Sequence, residues 1–197
     1  MPDSVVIPGR PLRRRLRRGL LLPGDGGHQS GPDDEEARAE YASVASFGEL
    51  ALRLIAVGAP TGLVAACHRA ALDEIRHASI VDDLAGRRRS QGFEAIPGLL
   101  GRRIGGRRRS RRWQLGHIAV ESYLDGWVNE GLAADRLRFR AQHAGSARER
   151  ARLMAMADDE QRHAELARAI VTWCFEEAPR HVGRALTAVA PANAVTA

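Results

Sequence analysis

Leu72-Asp73-Glu74-Ile75-Arg76-His77-Ala78 has a near-copy 86 residues further on, Asp158-Asp159-Glu160-Gln161-Arg162-His163-Ala164. Each copy contains Glu-x-x-His. On an α-helix, residues three apart lie on one face, so carboxylate and imidazole point the same way and can reach one metal ion. The flanking residues suit buried helices. Glu74 and His77 share a face with Cys67, Ala70, Ala71, Ala78 and Val81; Glu160 and His163 share one with Leu153, Met156, Ala157, Ala167 and Ile170. A lone buried Glu-x-x-His is more often an ordinary helix pair. A repeated one asks for two more carboxylates, because bundles with a dinuclear carboxylate site take one Glu from each of two further helices.

Working outward from the motifs, periodicity and helix breakers predict an all-α chain. Asp33-Asp34-Glu35-Glu36 after Pro32 suits the positive end of a helix dipole, and this helix runs to about Val57. Gly58-Ala59-Pro60 closes it, and Thr61 caps a second helix reaching about Ala85. Gly86 to Arg112 carries no helical period. A third helix spans about Trp113 to His143, Gly145-Ser146 makes a turn, and a fourth helix reaches about Phe175. A short amphipathic fifth helix is expected from Pro179 to Val189. Two antiparallel hairpins joined by a connection of about 25 residues, long for a bundle loop, give a four-helix bundle with a crossover. The boundaries are 1–31 for a flexible basic arm, 32–177 for the bundle with its Arg/Gly-rich crossover at 87–112, and 178–197 for a tail. Both motifs fall on the second helix of their hairpin, as an ancient duplication would leave them.

The partner glutamates follow from height and face. The first helix offers Glu40 and Glu49, the third Glu121 and Glu130; members of a pair nine residues apart sit on opposite sides of their helix. Glu40 lies 18 residues before Gly58 and Glu74 lies 14 after Pro60. Glu49 lies nearer the turn, roughly 7 Å out of level at 1.5 Å per residue. Glu130 lies 15 before Gly145 and Glu160 lies 14 after Ser146, whereas Glu121 is 24 before the turn. Glu40 shares its stripe with Ser43, Val44, Phe47, Ala51 and Leu54, and Glu130 shares one with Tyr123, Trp127, Ala134 and Leu137. Glu49 precedes Arg53 at i+4 as in an exposed ion pair, and Glu121 joins a polar stripe with His117, Asp125 and Asp135. Glu49 and Glu121 are therefore read as surface charges. An isolated carboxylate buried at 40 or 130 would cost several kcal/mol, which metal ligation removes. The expected metal ligands are Glu40, Glu74, His77, Glu130, Glu160 and His163.

Composition narrows the function classes. At 197 residues the chain is long enough for one well-buried domain. It has no apolar run of about 18 residues, so no transmembrane segment is expected; Leu20-Leu21-Leu22 is too short for a secretory signal, and a cytoplasmic location is the default. Cys67 and Cys174 read as buried reduced thiols. All 30 basic residues are Arg, and 16 of them fall in 10–18 and 87–112. Outside 1–31 and 87–112 there remain 14 Arg against 21 acids, so the helical body is acidic. The high pI therefore belongs to the connecting segments. Those segments give a second reading, a binding protein attracted to nucleic acid or another anionic surface; a solvated loop is favoured over it.

Three pieces carry a family resemblance: Glu40-Tyr41-Ala42-Ser43-Val44-Ala45-Ser46-Phe47, Leu72 to Ala78, and Asp159-Glu160-Gln161-Arg162-His163-Ala164-Glu165-Leu166-Ala167. Over about Glu36 to Phe175 the chain resembles ferritin-like di-iron carboxylate proteins of the ferritin and rubrerythrin kind. It is especially similar to bacterial ferritin-like-domain proteins whose reaction is not established. In that group His commonly follows the first Glu, where this chain has Tyr41; Gly126-Trp127-Val128-Asn129-Glu130-Gly131 matches less closely. The resemblance implies two iron ions, with manganese as the alternative, bridged by Glu74 and Glu160 and capped by Glu40 and Glu130. It implies redox chemistry with O2 or peroxide, of oxidase, oxygenase or ferroxidase type, with or without a small organic substrate. No Cys-x-x-Cys supplies a built-in electron donor, so an external reductase is expected, and a homodimer is compatible with the sequence. Asp73 and Asp159 are candidate partners for the far ring nitrogens of the histidines. Tyr41, Tyr123 and Trp127 are read as packing before electron transfer. Gly126 and Gly131, each costing up to about 1 kcal/mol in a helix, suggest close helix approach or a distortion beside Glu130.

Overall fold

A computed structural model describes residues 32–86 and 109–189 of the 197-residue chain. The described residues are helical, with no strand among them. The helices are α1 (Pro32–Ala56), α2 (Thr61–Leu84), α3 (Arg111–Glu121), α4 (Asn129–Gln142), α5 (Ala147–Glu177) and α6 (Pro179–Thr187). A π-helical segment, Ser122–Val128, joins α3 to α4 without a break, so Arg111 to Gln142 form one column. None of these helices is long and apolar enough to cross a membrane. The basic arm and most of the crossover, 1–31 and 87–108, lie outside the described residues.

The turns are made as their residues require. Gly58 takes a φ of 74°, and Ala59 N–H bonds back to Leu54 C=O at 3.0 Å, which satisfies a carbonyl left open at the end of α1. Thr61 is the first residue of α2 rather than its cap; Pro60 takes the cap position, with no side-chain cap bond. Proline's fixed φ suits that entry. At the second turn the Ser146 hydroxyl accepts from Glu149 N–H at 3.1 Å, and the Glu149 carboxylate accepts from Gly145 N–H at 2.9 Å. This is the reciprocal logic of a capping box. Helix α5 runs two residues past the expected Phe175, and Ala178 then Pro179 start α6.

Helix α1 packs along α2, and the α3–π–α4 column packs along α5, so each short turn makes an antiparallel hairpin. The hairpins meet where α2 lies against α5. The apolar core falls into two clusters. One gathers Leu54, Cys67, Leu115, Ile118, Ile170, Cys174 and Val182, closed at its end by α6. The other gathers Ala37, Val81, Leu137, Leu153, Met156 and Ala157. Along every long helix the predicted ligands lie between the residues of one cluster and those of the other.

The π segment explains one departure from the expected faces. It spends an extra residue on its turn. The buried stripe therefore runs from Glu130 back to Ser122, Ala119, Ile118 and Leu115, and Trp127 is 41% exposed rather than part of the core. Trp127 instead meets Tyr123 edge-on at 5.7 Å, with the Arg168 guanidinium over its ring. Gly126 is the close approach: a Cβ there would stand 2.3 Å from Ala167 Cβ, whereas a Cβ on Gly131 would meet nothing within 4 Å. Gly126→Ala should lower stability by about 1–3 kcal/mol through overpacking. Gly131→Ala should raise it by up to about 1 kcal/mol. Urea unfolding midpoints moving in opposite directions bear this out; equal shifts would mean that helix propensity alone governs both sites.

Candidate metal centre

The six residues expected as ligands come together in one layer. Glu40 projects from α1, Glu74 and His77 from α2, Glu130 from the first turn of α4, and Glu160 and His163 from α5. Glu74, His77, Glu130, Glu160 and His163 are buried, and the Glu40 side chain is 16% exposed. Their oxygen and nitrogen atoms form two overlapping groups, each within 4.8 Å: Glu40, Glu74, His77 and Glu160; and Glu74, Glu130, Glu160 and His163. Glu74 and Glu160 belong to both. Glu49 and Glu121 belong to neither.

The histidines are oriented crosswise. His77 Nδ1 lies 3.4 Å from Glu160, 3.7 Å from Glu74 and 3.8 Å from Glu40. His163 Nδ1 lies 3.5 Å from Glu74 and 3.6 Å from Glu160. Both Nδ1 atoms and Glu160 Oε2 are buried and make no hydrogen bond among the described residues. The other ring nitrogens are taken: His77 Nε2 meets Asp159 at 3.0 Å, and His163 Nε2 meets Asp73 at 3.2 Å. Each aspartate thus serves the histidine of the opposite motif. With Nε2–H donating to Asp, a neutral imidazole carries its lone pair on Nδ1, aimed at the carboxylates. Arg76 bonds both Asp73 and Asp159, and Arg162 bonds Asp159 and stands 4.0 Å from Asp73.

Electrostatics follow from this crowding. Burial would lower the His77 pKa, but Glu160, Glu40 and Glu74 facing it raise it far above the ordinary histidine value. Burial would raise Glu160, yet the facing imidazoles of His163 and His77 hold it far below the usual carboxylate range. Asp159 follows the same pattern: burial pushes it up, and His77 and Arg76 hold it down. A proton on His77 and a metal ion are thus alternative counter-charges for one set of carboxylates. The donor atoms, carboxylate oxygens with one imidazole nitrogen per group, suit Fe(II) or Mn(II) and, less well, Zn(II). Cys67 and Cys174 sit in the neighbouring apolar cluster, where burial pushes both thiols up to about 12, and neither belongs to a ligand group.

Glu121 is not a surface charge: its side chain is 13% exposed and bonds the Arg53 guanidinium, with His117 Nδ1 3.3 Å away. Arg53 thus turns from the expected i+4 partner, Glu49, to the facing helix. The signal available was that Arg53 adjoins Leu54 on the apolar edge of α1; the π segment that aims Glu121 inward is marked by Gly126. Arg53 and Glu121 line the outer part of a half-open cavity of about 60 Å³ whose inner wall includes Glu130 and His163. Phe47, in its wall, packs edge-on against the His163 ring at 5.1 Å. Arg111, at the end of the crossover, is tied to Val57 C=O at 2.9 Å and to Glu177 at 2.7 Å.

Compared with models of known protein families, with curated proteins and with solved structures, the chain has no match.

Two outcomes are expected. Asp159→Asn should weaken binding of Fe(II) or Mn(II) by about 10–100-fold, read by competition with a chromophoric chelator, with helicity unchanged. The second concerns acid stability. Burial would raise Glu121, but His117 and Arg53 hold it below its ordinary value of 4.5. Its contribution is therefore complete above about pH 4.5 and is lost as pH falls through the lower folded value. Glu121→Gln should reduce stability at neutral pH and flatten the decline below pH 4.5; an unchanged acid limb in urea unfolding would contradict this.

Proposed function

We propose that the chain is a dinuclear metal carboxylate protein with a ferritin-like four-helix bundle, holding two iron ions for redox chemistry with O2 or peroxide. The observation that carries this reading is the sharing of Glu74 and Glu160 between two ligand groups, each completed by one further Glu and one His. A single ion would need only one group. Four glutamates bring a charge of −4, and two divalent ions balance it, so the layer becomes neutral without protons. Glu40 and His77 would complete one ion's ligands, and Glu130 and His163 the other's. When bound, two such ions supply two electrons at one place, the requirement for reducing O2 or peroxide without releasing a radical.

The chain's own residues contribute orientation and dryness. Asp73 and Asp159 fix the imidazole tautomer and direction. Arg76 and Arg162 offset the charge of those aspartates at the rim. The two apolar clusters exclude water above and below, and the half-open cavity leaves one route from outside to the His163 end. No described residue provides a redox-active thiol pair, so electrons would come from a separate reductase.

Anaerobic titration of the full chain with Fe(II), followed by O2, tests this. Uptake of about two ions per chain, with O2 consumed in proportion to bound iron, is expected. A Glu74→Ala/Glu160→Ala chain should retain its fold and lose both ions together. Stoichiometric binding of two ions by that double variant would defeat the proposal.

A further inference from the structure

The cavity beside the candidate centre is built unevenly, and its lining specifies an occupant. It reaches Glu130 and His163 but none of Glu40, Glu74 and His77, so it serves one half of the layer only. Most of its wall is apolar: Phe47, Leu50, Leu166, Ala167 and Ile170. Ser122 also lines it, and the Ser122 hydroxyl is buried with no hydrogen-bond partner among the described residues. A buried hydroxyl left without a partner costs about 1–3 kcal/mol, which a ligand's polar atom would recover.

Charge excludes an anionic occupant, and desolvation weighs against a cationic one. Glu121, Asp125 and Glu130 line one side, and a carboxylate ligand would face them. Among the described residues the one Arg in the wall, Arg53, is already engaged by Glu121 and stands 3.3 Å from His117. A ligand ammonium would have to leave water for a mainly apolar wall, where Glu121 is already matched by Arg53 and Glu130 belongs to a ligand group, so its desolvation is poorly repaid. Size sets a further limit. An enclosed apolar cavity of about 150 Å³ holds benzene; at about 60 Å³ this one takes a shorter molecule, extended toward its open side.

Resting on the reading of a metal centre, we propose that this cavity is the organic-substrate site. It takes a short, uncharged aliphatic molecule with one hydroxyl or carbonyl group, bonded to Ser122 and held beside the Glu130–His163 end. The Arg53–Glu121 pair stands at its outer part and keeps ionic solutes out by offering them no unmatched charge.

Three probes with the same carbon chain test it: 1-propanol, propionate and n-propylamine, added to the metal-free and to the Zn(II)-loaded full chain. Saturation-transfer NMR reads binding without any turnover. 1-Propanol should bind, and propionate and n-propylamine should bind at least about tenfold more weakly. Ser122→Ala should weaken 1-propanol about five- to tenfold, and Leu50→Trp, which fills the cavity, should abolish its binding. Helicity measured on both variants separates loss of the site from loss of the fold, and Ser122→Ala removes too few atoms to unfold the chain. Binding of 1-propanol unchanged by Ser122→Ala, equal binding of propionate, or no binding of any probe overturns the proposal. Metal uptake is measured on the same samples. Two ions bound without 1-propanol would sink the ligand site and leave the metal reading standing; 1-propanol bound as described without metal would do the reverse.

Discussion

Three buried glutamates, a fourth that is partly buried, and two buried histidines cannot remain in one layer as separate charges. Taking a carboxylate from water into a protein interior costs several kcal/mol unless a counter-charge meets it at close range. Glu74 and Glu160 are at or near full burial, between two apolar clusters that supply no such charge. Every other feature of the central layer answers that constraint. The imidazoles face the carboxylates at 3.4–3.8 Å, and the protons that His77 retains stand where cations would. Among the described residues, Arg76 and Arg162 stand outside this layer, on the aspartates behind the histidines.

The reciprocal link between α2 and α5 gives that layer its rigidity. Asp73 reaches His163 and Asp159 reaches His77, so neither motif is complete on its own helix. Rotating one helix would break both aspartate–histidine bonds at once and would uncover two buried rings. This coupling also gives the Asp-Glu-x-Arg-His repeat a physical content beyond metal ligation. The Glu and His look inward, the Asp holds the opposite ring, Arg76 bonds the aspartates of both motifs, and Arg162 bonds Asp159.

Most of the helical order and the inward set of six were legible because they rest on short-range rules. Glu74/His77 and Glu160/His163 follow from a spacing of three; Glu40 and Glu130 follow from distance to a turn and from their apolar stripes. Turn chemistry at Gly58 and Ser146 fixed both hairpins to within a residue or two. What failed was the face of one column. A straight helix through Glu130 would bury Trp127 and expose Glu121, and the π segment reverses both. Period counting assumes 100° per residue throughout, so one wide turn displaces every inference upstream of it. Gly126 was the local clue, since its missing Cβ lets the column pass Ala167.

That wide turn also breaks the equivalence of the two halves. The repeated motifs, the crossed aspartates and the paired glutamates approximate a twofold arrangement, and Glu40 descends on its side from the α-helix α1. Glu130 instead follows the π segment, whose turn carries Ser122 and Gly126 to the wall of the cavity. Access therefore exists beside His163 and not, among the described residues, through the cavity to His77. If the layer holds two ions, they are inequivalent in the same sense: one is screened by α1 and α2, and the other adjoins open space. The two ligand groups share Glu74 and Glu160 yet differ in access, and the extra residue per turn in one helix is what separates them.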